Sequence, residues 1–336
     1  MTKHENERGR ESMIDDLLTA SGISRSHSPL FDCENYLFSS SHSILLEGVD
    51  FDLVYTPLKH LGYKAILNVA GPLYANGFYP HSLSVKLSLS SRFRFSQIEE
   101  IWSGMVSALR EHNIEHLDLD LTPSFTGLTI SLSSQGKQKK ELFVQKEACK
   151  SSDLLCISGV LGEAYMGLQI LEREKLVFEK DNVQPELDKY KFVLQSYLSP
   201  FIDKSLFEIF SSTQILPSAG EFILNGLADS VMRVCNRNRL GAKIFMNKIP
   251  ISSETSEVAA ELGIDPLTAA LNGGDDYRFL FAIPLEKYEA LKKELPQLDI
   301  IGHLCDAGAG AMFITPDGTE IPLKAQAWDK QILNGS

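Results

Sequence analysis

The sequence predicts a protein of mixed strands and helices, long enough that two domains are the ordinary expectation. Segments of strict apolar–polar alternation interleave along the chain with segments whose apolar residues recur at helical spacing. At 336 residues the chain is long enough for two cores of ordinary size. A lysine-rich stretch near 137–150 supplies the break. It leaves a disordered leader and short helix over 1–25, an N-terminal α/β domain over 26–142 and a C-terminal α+β domain over 143–336.

Composition removes several function classes. Hydrophobic residues make up 43% and charged residues 23%, an ordinary globular mixture. The net charge of −12 opposes a nucleic-acid partner, and the basic cluster Lys137, Lys139 and Lys140 reads as a solvated turn. Cys33, Cys149, Cys156, Cys235 and Cys305 are odd in number, dispersed and without Cys-x-x-Cys spacing. Reduced thiols in a cytoplasmic protein fit this better than a disulfide framework or a zinc site. The N-terminus is polar and charged through Arg10, unlike a signal peptide. The apolar run from Leu154 to Leu171 is broken by Gly159, Gly162, Glu163 and Gly167, so it reads as strand, turn and helix rather than a membrane span.

Taken in order, residues 1–11 read as the leader and Ser12 to Thr19 as a short helix. Ile44 to Phe51 is a strand entering a turn. Leu58 to Tyr74 has a helical pattern that Pro72 is expected to disturb. Leu83 to Leu89 alternates as a half-buried strand does. A helix follows over Ser96 to Glu111, with Ser96 as N-cap and Glu99 completing a capping box. His116 to Leu121 alternates strictly and puts Asp118 and Asp120 on one face. Adjacent carboxylates repel unless a cation or solvent lies between them, so an ion site and a solvated strand face both fit. Thr129 to Ser134 is a further strand, and the segment near 137–150 is a linker or exposed hairpin. Leu154 to Gly162 is a buried strand and a glycine turn before a helix over Glu163 to Lys175. Glu186 to Leu198 and Lys204 to Phe210 are helical, and Ile300 to Ile314 forms strands around Gly308 and Gly310.

The chain is organised around Leu271 to Phe281, where Gly273 and Gly274 permit a tight turn, Asp275 and Asp276 follow, and Tyr277 to Phe281 reads as a buried strand. A cation or polar ligand suits such a turn; two solvated loop acids suit it equally. Asn272-Gly273-Gly274-Asp275-Asp276-Tyr277 resembles the Gly-Gly-Glu-Asp-Tyr-Glu signature of the thiamine-monophosphate kinases, within the superfamily of aminoimidazole ribonucleotide synthetase-like enzymes. The resemblance runs with gaps from about Phe31 to Trp328.

That resemblance implies the α+β, two-domain, aminoimidazole ribonucleotide synthetase-like fold and a reaction in which ATP and thiamine monophosphate give thiamine diphosphate. Glu47, Gly48, Val49 and Phe51 match the family's Glu-Gly-Val-His-Phe, with Asp50 at the histidine and Ser43 at a preceding metal-binding aspartate. Asn-x-Ser-Asp falls on Asn68-Val69-Ala70-Gly71, so another such aspartate is Gly71. Asp120 falls on the aspartate of Gly-Gly-Asp-Thr, whose glycines are Asp118 and Leu119 here, and Thr126 and Gly127 match just after it. The paired N-terminal aspartates have their nearest counterpart in Phe31-Asp32-Cys33-Glu34. In Phe222-Ile223-Leu224-Asn225-Gly226-Leu227, Phe222 and Asn225 replace two aspartates, while a further acid is Ser230, with Asp229 beside it. The arginine of Pro-x-x-Arg is Asp203.

By resemblance, Asp120, Thr126 and Gly127 belong to nucleotide binding, Asp120, Asp32 and Asp118 to metal, and Asp276, Tyr277 and Trp328 to substrate. No catalytic side chain is designated. Asp118, Asp120, Asp275 and Asp276 are expected to line one interdomain cleft. Mg2+ and ATP are the implied cofactors, bound weakly, and a homodimer is implied through Leu83 to Leu89 and Thr129 to Ser134. The expected function is that of a thiamine-monophosphate kinase-like protein with weakened or lost activity. The alternative is a non-catalytic homologue that binds a nucleotide or thiamine compound.

Overall fold

The computed structural model describes residues 10–22, 31–143 and 146–325. The expected leader at 1–9, the segment 23–30 and Trp328 lie outside the described residues. The first part contains α1 (Arg10–Ala20), β1 (Phe31–Cys33), β2 (Tyr36–Leu46), α2 (Leu58–Ala75), β3 (Tyr79–Leu89), α3 (Phe95–Glu111), β4 (His116–Pro123), β5 (Thr129–Lys139) and α4 (Lys140–Phe143). Its sheet has the order β1-β2-β5-β3-β4, antiparallel except for the parallel β3–β4 pair.

The second part continues with β6 (Leu154–Ile157), α5 (Glu163–Asp181), α6 (Lys191–Leu198), α7 (Ser205–Thr213), β7 (Ala219–Ile223), α8 (Leu227–Asn238), β8 (Leu240–Phe245), α9 (Ser253–Leu262) and α10 (Pro266–Asn272). It ends with β9 (Arg278–Ile283), α11 (Leu285–Glu294), β10 (Asp299–Asp306), β11 (Ala311–Ile314) and β12 (Glu320–Pro322). Its sheet has the order β12-β11-β8-β10-β6-β9-β7. The architecture is mixed α/β with two sheets. Among the described residues no helix is long and apolar enough to cross a membrane.

The position of α2 follows from its sequence, which is apolar almost all round. Leu61, Ala65, Ile66 and Val69 pack with α3 on the inner face of the first sheet, against Leu83, Val85, Leu87, Ile130 and Leu132. Leu67, Ala70, Tyr74 and Ala75 pack instead on Phe222, Phe279 and Phe281 of the second sheet. Close approach of α2 to α3 needs Gly62 and Gly104: a Cβ at either would lie 1.9 or 1.8 Å from a backbone carbonyl of the other helix. The helix thus lies between the two sheets and brings side chains from one to the other.

Several expectations change. Pro72 does not break α2, which runs on to Ala75; packing on two sides holds the helix through the missing N–H, and the Asn76 side chain donates to the Pro72 carbonyl at 2.8 Å. Lys137 to Lys140 is no turn, because β5 pairs with β2 along its full length and buried Gln138 donates to the Gly77 carbonyl at 2.8 Å. At the start of α3 the Gln97 side chain accepts from the Arg94 N–H, so the cap lies two residues before Ser96. The expected helix from Glu186 begins as a 3-10 turn over Asp188–Tyr190 before α6. The strands named for dimer contact, β3 and β5, are interior to the sheet with their apolar faces covered by α2 and α3. The edge beside β3 is β4, whose Leu117, Leu119 and Leu121 are exposed.

Candidate functional site

The Gly-Gly-Asp-Asp turn is built by backbone conformations that few side chains adopt. Asp265 caps α10 by accepting from the N–H groups of Leu267 and Thr268, and the helix ends at Asn272. Gly274 has φ +78°, and a Cβ there would meet the Leu224 carbonyl at 2.6 Å. Asp275 and Tyr277 also have positive φ, at 57° and 53°, a costly conformation that the fold imposes. Their N–H groups donate to the carbonyls of Leu224 and Ile223 at 2.8 and 3.2 Å. The result sends the two aspartates in opposite directions.

Asp275 faces α2. Its Oδ2 lies 2.8 Å from Lys64 Nζ, and the Lys64 side chain is only 7% exposed. The ammonium sits 3.9 Å from the ring centroid of Tyr197 on α6 and 5.5 Å from that of Tyr277, a cation–π setting. Asp50, at the rim in the β2–α2 loop, accepts from the Leu46 N–H at 2.7 Å. Partial burial raises its pKa, the Leu46 bond opposes this, and Asp275 and Lys64 pull in opposite senses. The loop is fastened to α5 by Tyr55 donating to Glu172 at 2.5 Å and by Lys175 with Asp52 at 2.6 Å.

Asp276 faces the second part. It is buried, its Oδ1 accepts from the Gly162 N–H at 2.7 Å, and its Oδ2 has no hydrogen-bond partner among the described residues. Glu163, also buried, accepts from Ser196 at 2.9 Å and lies 3.9 Å from Arg278, with its other oxygen unpartnered. Burial raises the pKa of both acids, and Glu163 adds to the rise at Asp276, while Arg278 opposes it at both. Two buried carboxyl groups, each with an unpartnered oxygen, suit a donor on a ligand.

Beside this turn the α2 surface is apolar. A Cβ built on Gly71 would lie 2.3 Å from the Phe222 ring, so the ring occupies the space of a residue-71 side chain. Phe222 also meets Tyr277 edge-on at 5.4 Å and Phe279 at 5.0 Å, while the Tyr277 hydroxyl donates to Asn68 Oδ1. Two positions that the resemblance gives to metal-binding aspartates are therefore one apolar contact. Residues 71 and 222 do not fit a magnesium ion, which needs several oxygen ligands in octahedral geometry.

The remaining site residues are dispersed. Asp120 is exposed on β4 and lies 2.8 Å from Lys86 of β3, whose ammonium lowers its pKa. Asp118 is exposed two residues before it. Asp32 pairs with Lys140 at 2.5 Å on β1, the opposite edge of the sheet from β4, so Asp32 and Asp120 do not form one ligand set within a chain. Gly127, at φ +111°, lies against Glu47, which accepts from the Leu128 N–H at 2.7 Å and meets Arg92 at 3.1 Å. Ser124 Oγ accepts from the Thr126 N–H at 3.1 Å. Two matched stretches thus meet, with Glu47 clamping the loop after Thr126. The sequence reading missed Lys64, Tyr197 and Glu163. Lys64 had a signal, a lone cation within the apolar run of α2.

The comparisons agree with this architecture. No family model matches the chain. The thiamine-monophosphate kinase of Aquifex aeolicus is 26% identical over 287 residues, covering 85% of this chain and 88% of the relative. That of Synechococcus elongatus is 24% identical over 291 residues, covering 84% of this chain and 83% of the relative. The chain is a homologue of the thiamine-monophosphate kinases. The crystal structure of the Aquifex aeolicus thiamine monophosphate kinase superposes with TM-score 0.75 at 23% identity, over 96% of this chain and all of that one. A thiamine monophosphate kinase complexed with AMPPCP and TMP superposes with TM-score 0.77 at 23% identity, over 96% of each chain. A hydrogenase maturation protein in complex with ATP shares the fold more distantly, with TM-score 0.65 and 14% identity over 98% of each chain. These likenesses establish the fold; the ligands belong to those proteins.

Proposed function

We propose that this protein is a thiamine-monophosphate kinase-like protein that binds a nucleotide or thiamine phosphate and whose phosphoryl transfer is weakened or lost. The observation that carries this is the Phe222 ring lying 2.3 Å from where a Gly71 Cβ would stand. Phosphoryl transfer depends on positioning and on neutralising the triphosphate charge, which magnesium on carboxylates supplies in such enzymes. Here the Phe222 ring packs against the backbone of Gly71, and neither position offers a side-chain oxygen. Nearby, the Lys64 ammonium is held by Asp275 and two aromatic rings, so a built-in cation engages the acid of the turn. Asp276 and Tyr277, which match the family's turn, and Glu163 supply the polar groups by which a ligand would be held.

Binding of Mg-ATP is expected to be weak. A homodimer is expected along the exposed leucines of β4, because an open apolar edge otherwise invites aggregation. Calorimetry with ATP and magnesium, with coupled ADP release on thiamine monophosphate, tests the reading. Weak or absent turnover with measurable ligand binding supports it. Turnover at about 1 s⁻¹ or faster, ordinary for a kinase, overturns it.

A further inference from the structure

A second cluster lies at the other end of β4 from Asp120 and belongs to none of the motifs above. Strand β3 pairs with β5 through Pro80↔Gly136 and then Ser82↔Gln135, so His81 is the extra residue of a β-bulge. A bulge re-aims the side chain it carries. Ser82↔His116 opens the parallel ladder with β4, and the Glu115 N–H donates to the His81 carbonyl at 3.3 Å. The imidazoles of His81 and His116 meet edge-on with centroids 4.7 Å apart. One ring nitrogen from each and one Glu115 carboxylate oxygen all lie within 4.8 Å of one another.

We infer that His81, Glu115 and His116 bind a divalent transition-metal ion of the zinc class. Tetrahedral ligands at zinc distances stand about 3.3 Å apart, so small side-chain rotations close the set. Two imidazoles and a carboxylate suit zinc, cobalt, nickel or copper, whereas magnesium and calcium prefer an all-oxygen shell. His81 is half-buried and the other two are exposed, which leaves the fourth position to water. His116 is four residues from Asp120, roughly 13 Å along an extended strand, so this site is separate from the phosphate chemistry and does not rest on the proposed function.

The test titrates cobalt(II), then zinc(II), into the untagged full-length protein and follows cobalt absorption and calorimetric heat. One cobalt per chain with a nitrogen–oxygen ligand-field spectrum, displaced by zinc, is expected. His81→Ala or His116→Ala should weaken binding by at least about 100-fold, beyond the 10- to 100-fold typical of losing a supporting residue around the ligands. Should a histidine variant fail to fold by circular dichroism, Glu115→Gln at an exposed position carries the same comparison. No cobalt spectrum, a thiolate charge-transfer band, or affinity unchanged in the variants would overturn the assignment.

Discussion

Two pairs of aspartates in this protein show how little the residue type decides. Asp118 and Asp120 stand on an edge strand, both exposed, and Asp120 has Lys86 beside it in solvent. Asp275 and Asp276 stand at a strained turn between the sheets, and the backbone splits them: one to a buried lysine, one to a buried amide with an oxygen to spare. Solvent screens the first pair, so its charges are cheap and weakly coupled to the fold. In the second pair Asp276 is buried and Asp275, though a third exposed, holds a buried ammonium, so each partner matters. The turn ties its two carboxylates to different parts of the fold, whereas the edge strand's acids form a solvated face.

The largest expected effect tests the apolar filling beside the turn. Phe222→Ala should cost about 3–5 kcal/mol by cavity formation, read by urea denaturation. Gly71→Asp alone should also destabilise, because its side chain meets the Phe222 ring. Adding Phe222→Asp relieves that overlap, and magnesium should then stabilise the double variant. A fully stable Phe222→Ala protein would mean the ring is not packed on α2.

Next in size is Lys64→Met. It removes the cation from Asp275 and from two tyrosine faces, and since Asp275 is a third exposed the cost should be about 1–3 kcal/mol. A thermal melt indistinguishable from the parent would remove Lys64 from the centre of the site.

Asp276→Asn gives a smaller effect with a definite sign. Burial raises the folded-state pKa of Asp276, so the folded chain holds its proton to higher pH than the unfolded chain does. Its contribution is complete below about pH 4, the ordinary aspartate value, and is lost as pH rises through the raised folded pKa. The asparagine variant escapes that loss, so its stability relative to the parent should grow between pH 4 and pH 8. A difference that is flat across this range would show Asp276 ionised and paired in the fold.

Lys86→Ala is the control on the exposed side. Melting should not change, while the Asp120 carboxyl, freed from the Lys86 hydrogen bond that lowers it, should titrate closer to an ordinary aspartate by NMR. A clear loss of stability would make the two acidic pairs alike and end the contrast.

The sequence by itself determined the alternation of strands and helices, the glycine turn at 273–274 and the absence of side-chain oxygen at Gly71 and Phe222. These rest on local periodicity and on what each side chain contains, and both are readable without knowing what lies opposite. By resemblance those positions implied replaced aspartates, but nothing in the sequence said that their space had been filled. Only the tertiary structure decided that Phe222 occupies the space beside Gly71, that α2 continues through Pro72, and that β4 is the open edge of its sheet. It also decided that Lys64 reaches Asp275 across 211 residues of sequence. The reason is physical: which way a side chain points is set by the φ of one residue and the packing of distant ones, and neither leaves a trace in local spacing.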